Sequence, residues 1–145
     1  MNSLLILGGS LSILASVAHV GIIFGGASWY RFFGAGDKMV QMSEKGLIFP
    51  SIITSLIATV LFIWGLYAFS AAGAIPKLPF LKIICSAIAT VYTLRGLLIL
   101  PALFLQQGLK GWNGMDNSFW IWSSLISLSI GILYILGLTK VWVSL

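Results

Sequence analysis

Acidic residues are scarce in this chain of 145 residues, with three Asp+Glu against eight Lys+Arg. None of the three, Asp37, Glu44 and Asp116, falls inside a long apolar run, so no apolar segment brings a carboxylate of its own. A single cysteine, Cys85, excludes an internal disulfide and reads as a small packing residue. A single histidine, His19, excludes bis-histidine haem ligation within one chain. Charge is low overall, 8% of residues against 59% hydrophobic, and mean hydropathy is +1.08. A water-soluble domain of this size has no core large enough to hide that much apolar surface. Catalytic signatures are missing as well: there is no Ser/His/Asp spacing, no H-E-x-x-H and no phosphate-cradling glycine loop beside a strand. Soft metal ligands, Met39, Met42, Met115, Cys85 and His19, are scattered rather than clustered, so neither a metal nor a cofactor is expected.

Long apolar runs are what the chain does contain. Four of them, at about 4–28, 50–72, 79–105 and 119–138, each reach the roughly 20 residues that cross a hydrocarbon layer. The sequence therefore predicts an all-α polytopic membrane protein, a four-helix transmembrane bundle forming one domain over 1–145, because the stretches between runs are too short to fold alone. The first run lacks a basic leader and exceeds a signal peptide's apolar core, so it is expected to stay as a true span. Trp29 and Tyr30 close it with rings suited to the headgroup layer. Asp37 is placed to cap a short helix that Gly46 ends, predicting an amphipathic helix in the interface between the first two spans.

With four alternating spans, both termini and the loop "GAIPKLPFLK" share one side, side A, which carries Lys77, Lys82 and Lys140. Side B carries Arg31, Lys38, Lys45 and Lys110 with all three carboxylates. The lysine and arginine counts nearly balance, and the unpaired cations of side A favour it as cytoplasmic. The net charge of +5 thus bears on topology and anionic headgroups rather than nucleic acid.

Small residues recur at every fourth position: Gly8, Ser12, Ser16, then Gly21 and Gly25; Ser51, Ser55 and Thr59; Ser123, Ser127 and Gly131. Such stripes let helix backbones approach closely in lipid, within the bundle or against a membrane-protein partner or second copy.

The sharpest signal is Arg95 in "VYTLRGLLILP". A charge at the centre of a span costs about 2.5–3.5 kcal/mol on insertion scales, so it faces an interior, a partner or water. An unbroken third helix puts Arg95 near mid-membrane, whereas a kink at Pro101 would leave it within snorkelling reach of side B. Two readings stay open: an ion pair with Asp37, Glu44 or Asp116, or a site for an anion such as a lipid phosphate or fatty carboxylate. Tyr92, one turn away, is positioned to support the guanidinium, and Arg31 adds a further cation on side B. Ser86, Thr90 and Thr93 form the opposite stripe; were that one to pack inward, Arg95 would face lipid or a second partner. His19 fits a hydrogen bond across the bundle, with a proton relay or ligand role as the alternative.

The stretches "HVGIIFGGASWYRFFGAGDKM", "WGLYAFSAAGAIPKLP" and "VYTLRGLL", within residues 19 to 98, resemble uncharacterised four-span inner-membrane proteins of proteobacteria. The resemblance implies a bacterial inner membrane and assigns no functional residue. Three functions compete: a non-enzymatic binding or accessory module for a membrane partner or anionic lipid-like ligand near Arg95; an oligomeric transporter or channel; and a lipid-modifying membrane enzyme. The lack of catalytic groups places the binding module first.

Overall fold

A computed structural model describes residues 1–98, 100 and 117–145. Every element among the described residues is helical: α1 (Ser3–Gly25), α2 (Ala27–Phe32), α3 (Asp37–Glu44), α4 (Phe49–Ala71), α5 (Leu81–Leu97) and α6 (Asn117–Val141). Three segments, Ser3–Gly25, Phe49–Ala71 and Phe119–Val141, are long and apolar enough to cross a membrane, with mean hydropathies of 1.9, 2.1 and 2.0. Their outer faces carry exposed Leu14, Phe24, Ile52, Phe62 and Leu125. A soluble monomer rarely exposes so much apolar surface, and these helices fit a multi-pass membrane protein. At 17 residues α5 is shorter, about 25 Å at 1.5 Å per residue. The expected third span reaches 105, but Pro101, where a kink is one of the two alternatives, lies outside the described residues.

Element boundaries follow local chemistry. Asn2 caps α1, its side-chain oxygen accepting from the amides of Leu4 at 3.1 Å and Leu5 at 3.3 Å. The first run does not continue to Ser28 as expected. Gly26 takes φ +66, a left-handed conformation that only glycine adopts cheaply, and the chain restarts as α2. Pro50 sits in the first turn of α4, where its missing N–H costs nothing. Within α3, Asp37 is the first helical residue rather than the cap, which is Gly36; the helix gives way at Lys45 and Gly46, and the amide of Leu47 closes back on Met42 at 2.9 Å.

Two tight pairs, α1 with α4 and α5 with α6, are joined along α1 and α6. Gly9 and Gly65 let the first pair close: a Cβ on either would lie 3.0 Å from the other's carbonyl oxygen. The second pair closes at Gly96, where a Cβ would stand 2.6 Å from Leu128 Cβ and 2.7 Å from its backbone. Between helices in lipid such close fit supplies the association energy, since lipid tails are as apolar as leucine.

One end of the bundle is stitched by Asn2, whose amide donates to Ala72 O at 3.0 Å and whose Nδ2 donates to Gly137 O at 2.8 Å. The start of α1, the end of α4 and the end of α6 therefore meet there. At the opposite end, Ile22, Tyr30 and Val40 form a separate small core holding α2 and α3 against the tip of α1.

Candidate functional site

Arg95 stands in the last turn of α5, and its guanidinium is held by α6. Nη1 donates to Ser124 Oγ at 3.0 Å and Nη2 to Ser123 Oγ at 3.1 Å. The Trp120 ring centroid lies 5.8 Å from Cζ, within cation–aromatic range. Trp120, Ser123 and Ser124 are spaced i, i+3, i+4, so one face of a helix presents all three. Ser123 uses its proton on the Trp120 carbonyl at 3.1 Å, which turns its oxygen lone pairs toward the arginine. Ser124 is buried, and Arg95 is half-buried. The serines lie about 10 Å past the start of α6 at 1.5 Å per residue.

Gly96 is the backbone reason for this contact. With no side chain there, α6 approaches α5 one residue from Arg95, and Gly131 repeats the arrangement about one turn away, where a Cβ would lie 2.5 Å from Thr93 Oγ1. Ile88 and Tyr92 are buried beside Arg95's face, whereas Thr90 on the opposite stripe is exposed. Within that stripe Thr90 faces out while Ser86 and Thr93 are partly buried, and the arginine faces the neighbouring helix.

The acids named from the sequence go elsewhere where they are described. Glu44 accepts from Arg31 Nη2 at 2.8 Å, an exposed pair with side chains 68% and 49% accessible. Such surface pairs contribute little, about 0–1 kcal/mol. Asp37 occupies the exposed first turn of α3, where a negative charge suits the helix dipole. Asp116 and Lys110 lie outside the described residues. His19 bonds within its own helix rather than across the bundle: Nδ1 is 2.7 Å from Ala15 O. A carbonyl only accepts, so Nδ1 carries the proton, and in the neutral ring Nε2 is the acceptor. Among the described residues no cluster of three His, Cys, Asp or Glu side chains could hold a metal ion.

Tyr92 belongs to a second polar centre, deeper than Arg95. Its hydroxyl donates to Ser12 Oγ at 2.9 Å, Ser12 donates to Gly8 O at 3.0 Å, and Tyr134 donates to Trp64 O at 2.9 Å. The 3.4 Å between Ser12 Oγ and Tyr134 Oη is too long for a good hydroxyl bond. Tyr92 packs edge-on to Trp64 at 5.1 Å and tilted to Tyr134 at 5.9 Å. Groups from α1, α4, α5 and α6 thus fill the middle of the bundle with satisfied polar atoms. Ser12 and Tyr134 are 0% exposed.

Sequence reasoning missed Trp120, Ser124, Trp64 and Tyr134. The i, i+3, i+4 spacing of Trp120, Ser123 and Ser124 was a usable signal; nothing in the sequence pairs Tyr134 with Tyr92. Tyr30, expected in the headgroup layer, is buried and its hydroxyl lies 3.1 Å from Thr54 Oγ1. Trp29 folds back over Gly21 and Gly25. No family model, curated protein or solved structure matches this chain.

Proposed function

We propose that this chain is a small integral membrane protein whose task is binding, and that its ligand is an anionic, lipid-like group held at Arg95. The observation that carries this reading is a half-buried guanidinium fixed by two neutral hydroxyls and an indole. Those groups orient the arginine without neutralising it, which leaves planar donors for a phosphate or carboxylate, the partners that guanidinium geometry suits.

In this reading α5 is the remaining one of four spans, and α3 lies in the interface with Lys38, Gln41 and Glu44 outward. A bacterial inner membrane, with both termini cytoplasmic, follows the resemblance and the lysines of side A. The tyrosine-filled centre supports a binder over a conducting path through a single copy.

The test is native mass spectrometry of protein exchanged into vesicles of equal phosphatidylglycerol and phosphatidylcholine. Wild type is expected to retain the anionic lipid preferentially. Arg95→Ala should lose one retained phosphatidylglycerol relative to wild type, and Lys45→Ala, an exposed control on the same side, should not. Equal retention in wild type and Arg95→Ala would reject the proposal. Arg95→Lys should restore only part of it, since an ammonium cannot bridge both serines in one plane.

A further inference from the structure

An open groove of about 660 Å³ runs between α5 and α6, lined by residues of those two helices and the two that follow α6. Its walls include Ala89, Thr90, Thr93, Leu94, Ile135 and Leu138, and Trp142 stands at its mouth. The threonine hydroxyls add little polarity to it. Thr90 donates to Ser86 O at 2.9 Å, Thr93 to Ala89 O at 2.7 Å and Thr139 to Leu136 O at 2.9 Å. With those protons tied to the helices' own carbonyls, the threonines offer the groove chiefly methyl groups.

The groove has a charged end. Lys82, one turn before Ser86 on the same face of α5, sets its Nζ 5.4 Å from the Trp142 ring centroid. Lys77 lies at the same end, donating to Ser144 O at 2.6 Å, and no Asp or Glu among the described residues is there, because Asp37 and Glu44 sit on α3 at the opposite tip. From Ser86 to Leu94 the groove follows about 12 Å of helix, within the half-thickness, about 15 Å, of a hydrocarbon layer. Apolar walls of one-leaflet depth ending in a lysine and an indole complement an acyl chain with a negative headgroup, a match in both charge and length.

We infer that the α5–α6 groove is a binding site for one anionic phospholipid, with an acyl chain along Thr90 and Leu94 and its phosphate at Lys82 beside Trp142. The site is separate from Arg95, which faces α6 near the other end of α5. It rests on the membrane reading above but not on the Arg95 proposal.

The experiment uses the full chain carrying Arg95→Ala, so that only the groove is read, in vesicles of equal phosphatidylglycerol and phosphatidylcholine. Native mass spectrometry should show one retained phosphatidylglycerol favoured about fivefold over phosphatidylcholine, the contribution of one lysine near an anionic surface. Lys82→Gln should erase the preference, Lys82→Arg should keep it, and Thr90→Trp should remove the lipid by filling the groove. As a local readout, brominated acyl chains should quench the emission lost in Trp142→Phe, and Thr90→Trp should reduce that quenching while far-UV circular dichroism stays helical. An unchanged preference in Lys82→Gln overturns the inference. So does a dimer mass that disappears with Thr90→Trp, which would put a second copy in the groove. A chain that fails to float with vesicles refutes the membrane reading as well, whereas one that floats without lipid preference refutes this inference alone.

Discussion

Ser12 shows how one hydroxyl can join several helices. It accepts from Tyr92 on α5 and donates within α1, while Tyr134 of α6 rests against it and donates to α4. The two partners of the Ser12–Tyr92 bond are therefore not equivalent. Tyr92→Phe removes a donor and leaves Ser12 bonded to Gly8, so the expected cost is near the average for hydrogen bonds inside membranes, about 0.6 kcal/mol. Ser12→Ala strands a buried phenol hydroxyl and should cost about 1–3 kcal/mol. Unfolding in mixed detergent micelles measures both. Equal losses would mean that Tyr92 finds another acceptor. At this scale the sequence showed which residues were unusual, Arg95, His19 and Ser12 within a small stripe, but not their partners. Arg95 meets serines of a helix that begins more than twenty residues later in the chain, and His19 turns back on Ala15.

Helix contacts are set by which small residues face one another. In α1 the stripe Gly8, Ser12 and Ser16 is buried, as its spacing implied. In α4 the stripe Ser51, Ser55 and Thr59 is not: Ser55 and Thr59 are exposed, and Thr54, Ala58, Gly65 and Ala68 pack inward. Both faces of α4 carry small residues at helical spacing, and a one-residue phase difference separates them. Only the partner helix selects between them, so periodicity alone was ambiguous. The α5–α6 pair gives the sharpest test of the contact at this level. Gly96→Leu must push Leu128 and its backbone away and should destabilise by about 1–3 kcal/mol, the usual cost of overpacking. Because the same approach brings Arg95 to Ser123 and Ser124, this variant should also lose the anionic lipid retained at Arg95. Thermal unfolding and lipid retention read the two effects separately; retention at the wild-type level would detach the arginine site from helix spacing.

Taken whole, the molecule has two ends of different chemistry. Asn2 ties the start of α1 to the ends of α4 and α6, near Lys77 and Lys82, while α2 and α3 carry Arg31, Glu44 and Asp37 at the other tip. Impermeant-maleimide labelling in intact and opened vesicles, on a Cys85→Ser background, tests how these ends sit across a membrane. Ala74→Cys and Ser144→Cys are expected to label from one side and Lys38→Cys from the other. Labelling of Ala74→Cys and Ser144→Cys from opposite sides would show that α5 does not cross.

The sequence by itself determined the class: apolar runs near 20 residues, with almost no acids, must satisfy their backbone polar groups internally, and in lipid a helix does so segment by segment without reference to its neighbours. Approximate ends were legible for the same reason, since Pro50 and Gly46 act locally. Which face of each helix turns inward, the serine cradle around Arg95 and the Ser12–Tyr92–Tyr134 centre were decided only by tertiary structure. Side chains in lipid lack the hydrophobic force that sorts polar from apolar faces in water, so contact faces are chosen by fit and hydrogen bonding between residues distant in the chain.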